Sequence, residues 1–181
     1  MEANEVQELQ EHAEHAEHES SLRPVALTMT FLAVLVAVTT VLGHRTHTEA
    51  VLNQAKASDT WNEYQAKKNR AYDTTLVTDL LGVVTVADQN AAKKIAKGYT
   101  DHQAKWADDL EKERKQAEAY EEEVKLAERR ANHYDLAEAL LEIGLVVTSV
   151  TLLTRRRAYW FVGMACSVGG VVAAVFGMLL K

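Results

Sequence analysis

One cysteine, one proline and eight glycines are all that the 181 residues contain of the types that cross-link, kink or reverse a chain. The lone Cys166 excludes an intramolecular disulfide and any zinc site built from cysteine thiolates. So little proline and glycine leaves few turns for a sheet, while Ala, Glu, Gln and Lys fill the polar stretches, so helix is expected throughout. Signatures of chemistry are missing as well. There is no Gly-rich phosphate loop, no nucleophile elbow and no His-Glu-x-x-His, and Ser20 and Ser21 beside His18 form no triad. We therefore expect no enzymatic activity, no cofactor and no small-molecule substrate. The Lys and Arg of residues 44–135 alternate with acids and form no basic face, which argues against nucleic acid.

Charge is also unevenly distributed. The chain is 25% charged with a net charge of −6, yet Val25 to Leu42 and Ala158 to Leu180 carry no charge, and Leu136 to Thr154 carries only Glu138 and Glu142. A hydrocarbon core about 30 Å thick takes roughly 20 residues of helix, the length of each segment. The expected fold is an all-α membrane protein with spans at 24–43, 136–154 and 158–180 and a basic turn at 155–157. An acidic tail covers 1–23, and a long extramembrane segment covers 44–135. The tail has only one base, Arg23, unlike the start of a secretory signal. Pro24 stands where a helix can begin without losing a hydrogen bond.

Positions 103, 106, 110, 113, 117, 120, 124, 127, 131 and 134 follow a 3-4 spacing and include Trp106, Leu110, Tyr120 and Val124. This is a coiled-coil seam, weakened by alanines. A second seam runs through Ala50, Ala57, Trp61, Tyr64 and Ala71, with Gln54 and Lys68 between them. Two seams, each continuous with a span, predict an antiparallel coiled-coil-like hairpin. A third, shorter helix is expected over Leu76 to Ala96, with Asp73, Thr74 or Thr75 as its cap and Gly98 as its stop.

The run Trp61-Asn62-Glu63-Tyr64-Gln65-Ala66-Lys67 is followed by Tyr134-Asp135-Leu136-Ala137-Glu138-Ala139-Leu140-Leu141-Glu142-Ile143 and Leu153-Thr154-Arg155-Arg156-Arg157. With these runs the chain resembles the bacterial membrane family catalogued as domain of unknown function 4337, from Glu11 onward, departing from its pattern between Thr74 and Gly98. The resemblance implies a multi-pass protein of the bacterial inner membrane with a soluble insertion between its first two spans. It implies no activity.

Three groups of residues invite functional readings. His12, His15 and His18 alternate with acids in the tail and could hold a metal if a second chain completed the shell, since one helix spreads them over about 120°. Their bland reading is a soluble tail whose histidines offset the acids. Glu138 and Glu142 stand one turn apart in the second span, with His44, Arg45, His47 and Lys181 as prospective ion-pair partners at the same membrane face. They make either a register-fixing ion pair or a proton or cation site. Finally, Ala165, Gly169, Ala173 and Gly177 form a small-residue stripe that permits close helix packing, within one chain or between chains, and Trp160 suits the interfacial belt.

The short Arg155-Arg156-Arg157 turn places itself and the N-terminus in the cytoplasm, and the hairpin on the periplasmic or extracellular side. Seams rich in Ala, with Gln54, Lys68, Gln103 and Glu113 among their positions, bury little apolar area. Trp61, Tyr64, Trp106 and Tyr120 then call for a second surface, so the partners expected are the lipid bilayer and another copy of the chain. Three functions remain open: a structural or scaffold homo-oligomer, which leads; a small oligomeric channel or transporter with Glu138 or Glu142 at its mouth; and a metal-sensing tail.

Overall fold

The computed structural model describes residues 22–180. Among them there is no strand, and three helices: α1 (Arg23–Val83), α2 (Gln89–Thr154) and α3 (Arg157–Leu179). Each contains a stretch long and apolar enough to cross a membrane. Contacts divide the chain into two compact units. Among the described residues one comprises 22–49 together with 126–180, and the other is Ala50–Lys125.

In the first unit, Met29, Leu32 and Val36 of α1 pack on Leu141 and Leu145 of α2. The contact between α2 and α3 is closer and of another kind. A Cβ on Gly144 would lie 2.8 Å from the Gly163 carbonyl oxygen, and one on Gly163 would lie 2.7 Å from the Gly144 carbonyl oxygen. The two backbones touch where neither residue has a side chain, the approach that small residues allow. Hydroxyls beside this contact are satisfied within their own helices: Thr148 donates to the Gly144 carbonyl at 2.7 Å and Ser167 to the Gly163 carbonyl at 2.8 Å.

The buried face of α3 is Gly163, Ser167, Gly170, Ala173 and Gly177. This corrects the expected stripe. Ala173 and Gly177 belong to it, but Ala165 is exposed and Gly169 only half-buried. A strict four-residue spacing drifts by about 40° per step around a helix, so a stripe in phase at Gly177 has left the contact face by Ala165. The face that packs keeps a mixed 3-4 spacing, and it packs within the chain.

Arg155, between α2 and α3, adopts φ 54°, the left-handed conformation that favours glycine, and its N–H donates to the Thr151 carbonyl at 2.8 Å. A non-glycine residue there costs about 1 kcal/mol. At the other end of α3, the Arg130 guanidinium donates to the Leu180 carbonyl through Nε at 2.9 Å and Nη2 at 2.6 Å. A cation thereby closes the negative end of the helix.

In the second unit, the half-buried or buried residues of α2 include Gln103, Trp106, Leu110, Glu113, Ala117, Tyr120 and Val124. Those of α1 run through Ala50, Asn53, Ala57, Thr60, Tyr64, Lys67, Ala71, Thr74 and Thr78. The expected positions Trp61 and Lys68 are half-buried as well, so the expected register of α1 is corrected only at Gln54. Gln54 is exposed and Asn53 is 5% exposed, because the first step from Ala50 is one of three residues. The seam is stitched by polar contacts. Trp61 Nε1 donates to Glu121 at 2.7 Å, held by an edge-to-face contact with Tyr64 of the same helix at 5.4 Å, and Lys67 pairs with the half-buried Glu113. Gln103 Nε2 donates to Thr75 at 2.9 Å.

The separate helix expected over Leu76 to Ala96 does not form. α1 continues to Val83 and the chain bends over 84–88, inside that stretch. Gly82 and the β-branched run Val83-Val84-Thr85-Val86 weaken the helix there. Asp88 then caps α2, its Oδ1 accepting from the N–H groups of Asn90 at 2.9 Å and Ala91 at 3.0 Å. The expected caps lie mid-helix, where Thr74 and Thr75 each donate to the Ala71 carbonyl, and Gly98 lies inside α2.

Two outcomes are expected. Gly163→Ala should destabilise the first unit by about 2–3 kcal/mol, because its Cβ meets backbone. Gly169→Ala should be neutral or stabilising, since its Cβ would lie 3.7 Å from Leu140 Cδ1. Thermal unfolding in mild detergent measures both, and equal effects would contradict the contact described.

In the second unit, the Glu113 carboxylate raises the Lys67 ammonium above its ordinary 10.5, and Arg114 and Lys115 hold the Glu111 carboxyl below 4.5. The Lys67 contribution is complete below pH 10.5 and is lost as pH rises through the raised value. That of Glu111 is complete above pH 4.5 and is lost as pH falls through the lowered value. The melting-temperature deficit of Lys67→Met, followed by circular dichroism, should therefore be constant from neutral pH up to about 10.5 and shrink above it.

Candidate carboxylate site

Glu138 and Glu142 stand four residues apart on α2, and both are half-buried. Opposite them α1 presents Ala33, Val36, Ala37 and Thr40, and together with Leu145 these residues line a cavity of about 310 Å³. Alanines at two of the facing positions leave the space. Across it, Thr40 Oγ1 lies 2.7 Å from Glu138 Oε1 and 2.9 Å from the Val36 carbonyl oxygen. The hydroxyl has one proton. With Glu138 ionised, Thr40 donates to the carboxylate. With Glu138 protonated, the carboxyl donates to Thr40 and Thr40 donates to Val36. The arrangement satisfies either protonation state without moving a heavy atom.

The prospective partners of the two glutamates are distributed differently. His47 Nε2 lies 3.1 Å from Asp135 Oδ2, an exposed contact worth no more than about 1 kcal/mol and ionic only when the histidine is protonated. Asp135 is one turn before Glu138, so His47 is engaged at the rim of the site and Glu138 meets a hydroxyl. His44 and Arg45 are exposed at the same level of α1. Lys181 and His12, His15 and His18 lie outside the described residues.

A family model for a domain of unknown function, DUF4337, matches residues 21–180. The chain belongs to the DUF4337 family. No curated protein and no solved structure matches it.

For this DUF4337 chain the site is thus a cavity with two carboxyls and one hydroxyl, walled otherwise by apolar side chains. Sequence reasoning singled out the two glutamates because charge is rare in such a segment. It missed Thr40, which shares its segment with Thr28, Thr30 and Thr39, and a helical threonine ordinarily turns its hydroxyl to its own backbone. It also missed Asp135, which a local pattern does not distinguish from the other acids before the apolar segment, and Arg130, whose target is a main-chain carbonyl. Among the described residues no cluster of three or more His, Cys, Asp or Glu is disposed to hold a metal ion.

Proposed function

We propose that this DUF4337 chain is a three-span membrane protein acting as a non-enzymatic scaffold, with residues 50–125 as its water-exposed helical arm. The observation that carries the reading is the character of the faces turned away from the first unit's interior. On α1, Leu27, Phe31, Val34, Val38 and Val41 are exposed, and on α3 so are Val168, Val172 and Phe176. The interior meanwhile buries Thr39, Thr46, Thr148, Thr151 and Ser167. A soluble bundle keeps its apolar residues inside, so an apolar circumference around a partly polar interior suits a lipid solvent.

The bacterial inner membrane is the setting that the family resemblance implies. Arg155-Arg156-Arg157 assigns the turn between α2 and α3 to the cytoplasm, and the arm to the other side. Self-association belongs to the proposal, but its surface shifts. The seams and the glycine contact are occupied within the chain, leaving the exposed Ala165 and half-buried Gly169 for close approach by a second copy.

A second reading, a proton or cation site, is favoured by the Glu138–Glu142 cavity and the two-way Thr40 bridge. Its weakness is the absence of ionisable residues over 143–154, the rest of that span. Reconstitution in lipid discs and liposomes separates the readings. The scaffold predicts a mass of at least two chains, reduced by Gly169→Leu, in ion-tight liposomes. A monomer contradicts self-association, and ion flux abolished by Glu142→Gln selects the second reading.

A further inference from the structure

The bend of the 50–125 unit is apolar where a helix-to-helix connection is ordinarily polar. Leu76, Leu80 and Val83 lie at i, i+4 and i+7 on α1, on the face opposite its inward residues Ala71, Thr74 and Thr78, and they are exposed by 60%, 49% and 81%. Val84 continues the patch into the bend, and Ile95 adds to it from the first turns of α2. Around Ile95, Lys93, Lys94 and Lys97 are all exposed. The acids close by are Asp79, Asp101 one turn after Lys97, and Asp88, which keeps its charge while capping α2, so the cationic character is local to the side of α2 around Ile95. From Ala50 to Val83 the helix extends about 50 Å, so this patch forms the end of the unit farthest from where the chain enters and leaves it.

We propose that this end of the arm binds a bilayer surface carrying anionic lipid, with Leu80, Val83 and Val84 entering the boundary between headgroups and acyl chains and the three lysines meeting the lipid phosphates. An apolar cap inside a cationic collar is the composition of elements that lie in such an interface. A second copy meeting the same patch about a two-fold axis would bring one lysine collar against another. Aliphatic residues with lysines, and no arginine or tryptophan among them, also lack the anchors that concentrate energy at protein–protein contacts. The inference rests on residues 50–125 being the water-exposed arm, and it gives that arm a target, a membrane apposed to the one holding the spans.

The test uses the full chain in discs of neutral lipid, mixed with vesicles of phosphatidylcholine alone or with 30% phosphatidylglycerol, about a third of the lipid as anion. Flotation should recover discs with the anionic vesicles only. Replacing Lys93, Lys94 and Lys97 by Gln should weaken binding by about 100-fold, near fivefold per lysine. Val83→Asp, at a position open to solvent, should weaken it by at least tenfold with unchanged helix content. Equal binding to neutral vesicles, or variants that bind like wild type, would overturn the proposal. Discs that associate through the tip without vesicles would overturn it in favour of a second copy. Absence of vesicle binding, while a cysteine at Asn90 in a Cys166→Ser background reacts with an impermeant thiol reagent, would refute it and leave the exposed arm standing. An unreactive Asn90→Cys would refute both.

Discussion

Two helices come into backbone contact where glycine removes a Cβ, and in this protein that condition is met at Gly144 against Gly163 and again at Gly170 against Ala137 and Leu141. The contact fixes how α3 lies against α2. It does so mainly by close approach of small residues, the mode of packing that does not depend on burying large apolar side chains. With α3 held on one face of α2, another face of α2 is left for α1, where Met29, Leu32 and Val36 meet Leu141 and Leu145. That second packing turns Glu138 and Glu142 toward Thr40 and the alanines of α1, so the carboxylate cavity follows from the helix arrangement.

The two units use different stabilising interactions. The first combines close backbone approach, the Thr148 and Ser167 hydroxyls satisfied within their own helices and an arginine closing the end of α3. The second relies on a thin seam of alanines supplemented by Lys67 with Glu113, Trp61 with Glu121 and Gln103 with Thr75. Polar residues on such a seam contribute little net energy but penalise sliding, because a shifted register leaves each of them buried without its partner. A unit built on two long helices needs register more than it needs depth of core.

Much of this was legible in the sequence, and what was not has identifiable causes. Absence of charge located the three apolar segments, and the 3-4 spacing from Gln103 onward coincides with the inward face of α2. On α1 one inward position was misread, because Asn53 and Gln54 are both polar and composition could not choose between a step of three and a step of four after Ala50. The bend was placed on either side of its true position, at Thr74 and Gly98, because threonine and glycine were weighted above the β-branched run and Asp88. The glutamates were conspicuous for their charge. Their partner was not, since a threonine hydroxyl facing another helix looks, in sequence, like any other threonine in a span.

The central claim is that the apolar unit lies in lipid and the arm in water along one continuous helix, α1. Spin labels placed singly on outward positions of α1, from Leu27 through Val38 to Asn62 and Tyr72, in protein reconstituted into bilayers, test it directly. The account predicts that relaxation by oxygen dominates up to about residue 43 and relaxation by a water-soluble nickel complex dominates from about residue 50. Nickel access at Leu27 and Val38 equal to that at Asn62 would contradict it and leave a soluble helical bundle in its place.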